Sequence, residues 1–181
     1  RGLSFQYFWP ELLWWQEVNI VLLINTNLLF GLQHVRLFCD LKTVSPRLNT
    51  FFLIMIAIHS LLLLSSFFIP YETAIRLSSL IALFSASICL VGSIVANRKG
   101  KRYTRAYILG WAGYLASILT YALTALGVLP RNEIIAWSQE IGFIHLVIFT
   151  TIAQLDQYLQ SQKYHEGEQK SALEAHVVHS R

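Results

Sequence analysis

The sequence is poor in charge: Asp, Glu, Lys and Arg make up 13% of its 181 residues, whereas 55% are hydrophobic. A soluble domain carries about twice that share of charge, so a water-exposed globule is excluded. Cysteine is scarce too. Cys39 and Cys89 show no CxxC spacing, which leaves no disulfide framework or thiolate metal site and predicts two free thiols. Phosphate-cradling glycine loops, HExxH and GxSxG are all missing, so nucleotide, zinc-protease and serine-hydrolase chemistry have no carrier. The chain starts at Arg1 without a methionine, inside the aromatic stretch RGLSFQYFWPELLWWQ. A secretory signal would instead begin basic and run through small aliphatics to a cleavage site.

What the sequence does contain is long apolar blocks. A bilayer core of about 30 Å needs roughly 20 apolar residues per helix. Five stretches reach that length, at about 14–36, 50–69, 73–96, 105–129 and 133–155. Ser45-Pro46-Arg47, Pro70-Tyr71-Glu72, the segment 97–104 and Pro130-Arg131-Asn132 separate them; proline suits such borders because it cannot donate the next helical hydrogen bond. The blocks do not alternate with a period of two, which argues against strands. The fold class is therefore all-α integral membrane, a bundle of five transmembrane helices over residues 1–155. A polar, helix-compatible linker or tail follows over 156–181, interrupted at Gly167.

Basic residues set the orientation. Arg36, Lys42 and Arg47 follow the first span, and Arg98, Lys99, Lys101, Arg102 and Arg105 follow the third. The turns at the other end carry only Arg76 and Arg131 nearby. Basic loops stay in the cytoplasm, so the N-terminus is expected outside and the C-terminus inside, in a plasma membrane. Tyr7, Trp9, Trp14 and Trp15 then fall at the outer interface, where amphipathic rings anchor helices. The basic loops suit anionic lipid or a cytoplasmic partner, although topology alone accounts for them. Nucleic acid is not an expected partner.

Inside the spans, polar residues are costly and often functional. Asn19, Asn25, Asn27, Gln33 and His34 lie along the first; Asn27 and His34, seven apart, share a face. They read either as a polar track that changes partners between two states or as static interhelical hydrogen bonds. His59, Glu140 and His145 are further switch candidates, and His59 with His145 could supply only one axial pair to a haem. In the tail, His165, His176 and His179 form a weak metal pattern. Ala106, Gly110, Gly113 and Ser117 are small residues that let helices approach closely. No catalytic, cofactor-binding or metal residue is assigned, and no cofactor is expected.

Several segments together resemble one family. GLSFQYFWP is similar to the outer loop before the third helix of bacterial seven-transmembrane receptors with diverse intracellular signalling modules (7TM-DISM). LFCDLKTVSPRL resembles a basic loop of that family through Phe38, Asp40, Leu41, Lys42, Ser45, Pro46 and Leu48. KGKRYTRAYILGW resembles the next through Gly100, Arg102, Arg105 and Trp111. LGVLPRN resembles the last outer turn through Gly127, Leu129, Pro130 and Asn132, and IGFIHLVIFTTIAQLDQ the last helix through Ile141, Gly142 and Asp156. The chain departs from the family at Leu146, often Glu there, at Gln157, often Arg, and at Thr104, usually Ala.

The resemblance implies that the five spans are helices three to seven of a seven-helix receptor domain, with two helices and an extracytoplasmic sensor domain before Arg1. It also implies a bacterial inner membrane, and a cytoplasmic histidine kinase or diguanylate cyclase after the tail. On that reading the chain is a receptor fragment that relays an outside stimulus and is itself no enzyme. A homodimer is compatible with signalling through a continuous helix. The alternative is a small transporter or channel, although no helix broken by Gly or Pro marks a midplane site.

Overall fold

The computed structural model describes residues 13–125, 128–130, 132, 135 and 137–179; for residues 13, 16, 17, 121, 122, 125, 170 and 172–179 it describes the backbone alone. Among the described residues six helices follow one another: α1 (Leu13–Phe38), α2 (Leu41–Val44), α3 (Pro46–Ser65), α4 (Tyr71–Arg98), α5 (Thr104–Ala125) and α6 (Ser138–His179). No strand occurs among the described residues. Among the described residues, three helices are long and apolar enough to cross a membrane: Val18–Phe38 within α1, α3 and α4. The chain is a multi-pass membrane protein. The fourth and fifth expected spans fall on α5 and α6, which are not among those three. The first described turn of α6 carries the polar Gln139 and Glu140. The expected start of the fifth span at 133–134 lies outside the described residues, as do GLSFQYFWP, Tyr7, Trp9, Gly127 and Arg131.

The boundaries have local causes. Pro46, expected as a separator, opens α3 instead: at the first helical position its missing N–H and fixed φ cost nothing. Near the end of α3, Ser65 and Ser66 turn their hydroxyls back onto the carbonyls of Leu62 and Leu63, and Pro70 precedes α4. Between α1 and α3 the short α2 is an addition to the expected loop. It follows Asp40, whose φ of 50° lies in the left-handed region that Asp tolerates better than most residues. The turn into α5 uses Gly100 at φ 94°. Gly167 does not interrupt the tail. A single glycine costs a helix only about 1 kcal/mol relative to alanine, and α6 runs through it to His179.

Packing divides along the bundle. In the half nearer the basic loops, Leu32 and Val35 of α1, Phe52 and Met55 of α3, Ala86 and Cys89 of α4, and Tyr107 and Trp111 of α5 form one buried core. Both cysteines are free and buried. The buried face of α4 consists entirely of small side chains: Ala74, Ser78, Ala82, Ser85, Ala86, Cys89, Gly92, Ser93 and Ala96. Their spacing in threes and fours makes one stripe, and such stripes let helices approach closely in lipid. At Gly92 a Cβ would stand 2.9 Å from the Phe52 ring and 3.5 Å from Val35, so the absent side chain is what seats Phe52. Phe30, Leu61, Phe84, Ile148 and many other large apolar side chains point outward. In water they would form unusually large exposed patches, whereas hydrocarbon solvates them.

Candidate functional site

Two polar centres lie within the helices. The first joins α1, α3 and α4 through Asn25, His59, Ser78 and Ser85, all with zero exposure. Asn25 Nδ2 donates to Val21 O at 2.9 Å and to Ser78 Oγ at 2.8 Å. Its Oδ1 lies 2.8 Å from His59 Nδ1, and His59 Nε2 lies 2.8 Å from Ser85 Oγ. Because Oδ1 can only accept, the network assigns the proton to Nδ1, and Ser85 donates to Nε2. Every polar atom of the Asn25 and His59 side chains is therefore paired. Buried polar groups need such pairing, and the more so where no water can substitute.

The second centre ties α1 to α5 and α6. His34 Nδ1 lies 2.7 Å from the Tyr107 hydroxyl, and Gln154 Nε2 donates to His34 Nε2 at 3.0 Å. The His34 ring stacks on Phe38 with centroids 5.6 Å apart, and Phe38 in turn meets Tyr103 and Tyr107. Beside this centre a cleft of about 280 Å³ opens between α1, α5 and α6, with Asn27, Gly31 and His34 on one wall and Tyr114, Leu146 and Thr150 among those opposite.

The seam between α5 and α6 is close-packed. A Cβ at Gly113 would collide with the His145 ring, one at Gly142 would collide with Ser117, and one at Gly110 would lie 3.0 Å from Phe149 Cβ. His145 Nε2–H donates to Leu109 O at 3.1 Å, and its ring centroid lies 4.5 Å from that of Phe149. His145 is thus spent on helix packing, as His59 is in its own centre, and the structure gives the two no common partner.

At the basic end, Arg36 donates to Asn49 at 2.7 Å and to Gln33 at 3.2 Å. Lys101 pairs with Asp40 at 3.4 Å, and Tyr103 donates to Phe38 O at 3.2 Å. The Thr43 hydroxyl bonded to Asp40, and next the Lys101 ammonium, hold that carboxyl below the ordinary aspartate range. Lys42, Arg47, Arg98, Lys99, Arg102 and Arg105 are exposed around this end.

The remaining candidates are scattered. Asn19 is half-buried and Asn27 is exposed at the cleft. Glu140 is half-buried in the first turn of α6, where a carboxylate suits the positive end of the helix dipole. His165 faces Glu168 across one turn at 3.7 Å. Trp14 and Trp15 meet edge to face, 5.8 Å apart. Ser78 and Ser85, on which the first centre depends, were not among the sequence candidates. Their signal was the stripe of small residues on α4.

No curated protein and no solved structure matches the chain. The family model described as 7TM diverse intracellular signalling matches residues 1–157. The chain belongs to the 7TM diverse intracellular signalling family.

Proposed function

We propose that this chain is the relay portion of a bacterial inner-membrane receptor. Five helices cross the bilayer with the N-terminus outside, and the tail from Asp156 carries the signal to a cytoplasmic histidine kinase or diguanylate cyclase. Residues 1–155 form the membrane part and 156–181 the connector. The observation that carries this reading is α6, a single unbroken helix of 42 residues. It is locked onto α5 by the Gly113–His145 and Ser117–Gly142 contacts and bonded to α1 through Gln154. At 1.5 Å per residue it is about 63 Å long, about twice the thickness of a bilayer core. A shift of α1 against α5 would be inherited by the tail without an intervening hinge. Membrane lipid, a sensor domain outside and a signalling domain inside are the partners, and a homodimer is compatible with this arrangement.

The test uses helical phase. With the tail joined to a kinase or cyclase module, one to four alanines are inserted after Glu166. Output that rises and falls with the 100° step of the helix supports a relay through α6. Output that ignores insertion length overturns it, and transport that persists through every insertion would favour a carrier instead.

A further inference from the structure

The cleft between α1, α5 and α6 is not explained by helix packing. Its floor is aromatic and sealed, with Tyr107 1% and Trp111 3% exposed, and its mouth opens sideways past Phe30 and Val147, which face outward. No Asp, Glu, Lys or Arg lines it. Two polar groups face it from opposite helices without partners. The Asn27 amide of α1 and the Thr150 hydroxyl of α6 make no hydrogen bond to any described residue. Thr120, Thr124 and the neighbouring Thr151, by contrast, each bond to the carbonyl four residues back. Beneath the floor the buried Trp111 indole N–H has no well-aligned hydrogen-bond acceptor among the described residues. An amide left unpaired among hydrocarbon is costly, so both groups call for something that supplies hydrogen bonds from within the cleft. His34 cannot be that group, because both of its ring nitrogens are engaged.

We propose that this cleft binds an uncharged, largely apolar small molecule bearing a hydrogen-bonding oxygen, held by Asn27 and Thr150 against the Tyr107–Trp111 floor. The uncharged character follows from the lining, which offers no counter-ion to a desolvated charge. The apolar body follows from the aromatic floor and leucine walls, and lateral entry from the outward-facing mouth. The carbonyl or hydroxyl oxygen is the shared chemistry of two sources, a lipid ester and a free small molecule.

The test uses the full chain in dodecyl maltoside, a detergent without carbonyl groups, irradiated with benzophenone as a photoreactive ketone. Mapped labelling is expected to concentrate near Phe30 on α1 and Val147 on α6. Asn27→Leu and Thr150→Val keep the volume and remove the polar group, and each is expected to lower that labelling roughly five-fold, the worth of one net hydrogen bond. Loss of labelling on adding phosphatidylcholine assigns the site to a lipid ester, and persistence assigns it to a free molecule. Labelling spread equally over outward positions such as Leu61 and Phe84, or unchanged in both variants, overturns the site. So does an unlabelled cleft.

Discussion

The imidazole of His59 on α3 and the amide of Asn25 on α1 meet at 2.8 Å, with neither side chain exposed. Their remaining hydrogen bonds reach α4 at Ser78 and Ser85, so one pair of side chains joins three helices.

Breaking this pair on one side is expected to cost more than removing it entirely. Asn25→Leu alone strands His59 Nδ1–H and should destabilise the bundle by about 1–3 kcal/mol. His59→Leu alone strands the Asn25 carbonyl oxygen with a similar loss. The double variant should lie closer to wild type than the sum of the two. Unfolding titrations in mixed micelles check the cycle, and strictly additive losses would show that the two residues act independently.

The α5–α6 seam predicts a compensating pair. Gly113→Val drives a side chain into the His145 ring and should cost about 1–3 kcal/mol, the usual cost of overpacking. Gly113→Ala combined with His145→Ala should recover much of the loss seen for Gly113→Ala alone. Melting temperatures of the purified variants decide it.

Acid should remove a small contribution at the basic end. Asp40 titrates below its ordinary value of 3.8 because of Thr43 first and Lys101 second. A depressed carboxyl stabilises the fold above that value, and the contribution disappears as pH falls through the lower folded value. The pair is largely open to solvent, so the effect is modest and weakens further in high salt. Asp40→Asn, which also tolerates the left-handed backbone, should melt below wild type at neutral pH and converge with it in acid.

Orientation is checked by single cysteines in a background with Cys39 and Cys89 replaced. Glu72→Cys should react with an impermeant maleimide in intact cells or right-side-out vesicles, and Lys99→Cys only in inverted ones. The reverse pattern would invert the proposed topology.

Much of the architecture was written in plain composition. The apolar blocks gave the helices, and the basic clusters marked the end where Lys101 pairs with Asp40 and Arg36 bonds to Asn49. The small residues Gly110, Gly113 and Ser117 pointed to a close seam because closeness needs only the absence of bulk. Partner choice was less legible. Asn25 and Asn27 stand two residues apart, on nearly opposite faces of one helix; only the neighbours decide that Asn25 is sealed against α3 and α4 while Asn27 faces the cleft. The stripe on α4 was hidden by its own surroundings, since alanine, serine and cysteine inside an apolar run look like filler until a phenylalanine such as Phe52 is seen resting on Gly92. Pro46 misled for a local reason: the same residue that ends one helix is well suited to begin another.

The smooth face of α4 has a mechanical consequence. Side chains as short as alanine and serine make no knobs that interlock with a neighbour, so the stripe acts as a bearing: it sets how near the helices lie but scarcely how far one has slid along another. Register then falls to the pins. Ser78 and Ser85 stand two turns apart, and His59 with Asn25 bridges them. Sliding α4 by a single turn would pull both serines out of reach at once and carry Gly92 away from the Phe52 ring. A few hydrogen bonds and the one aromatic seat at Gly92 therefore hold in place a contact whose remaining surface is smooth.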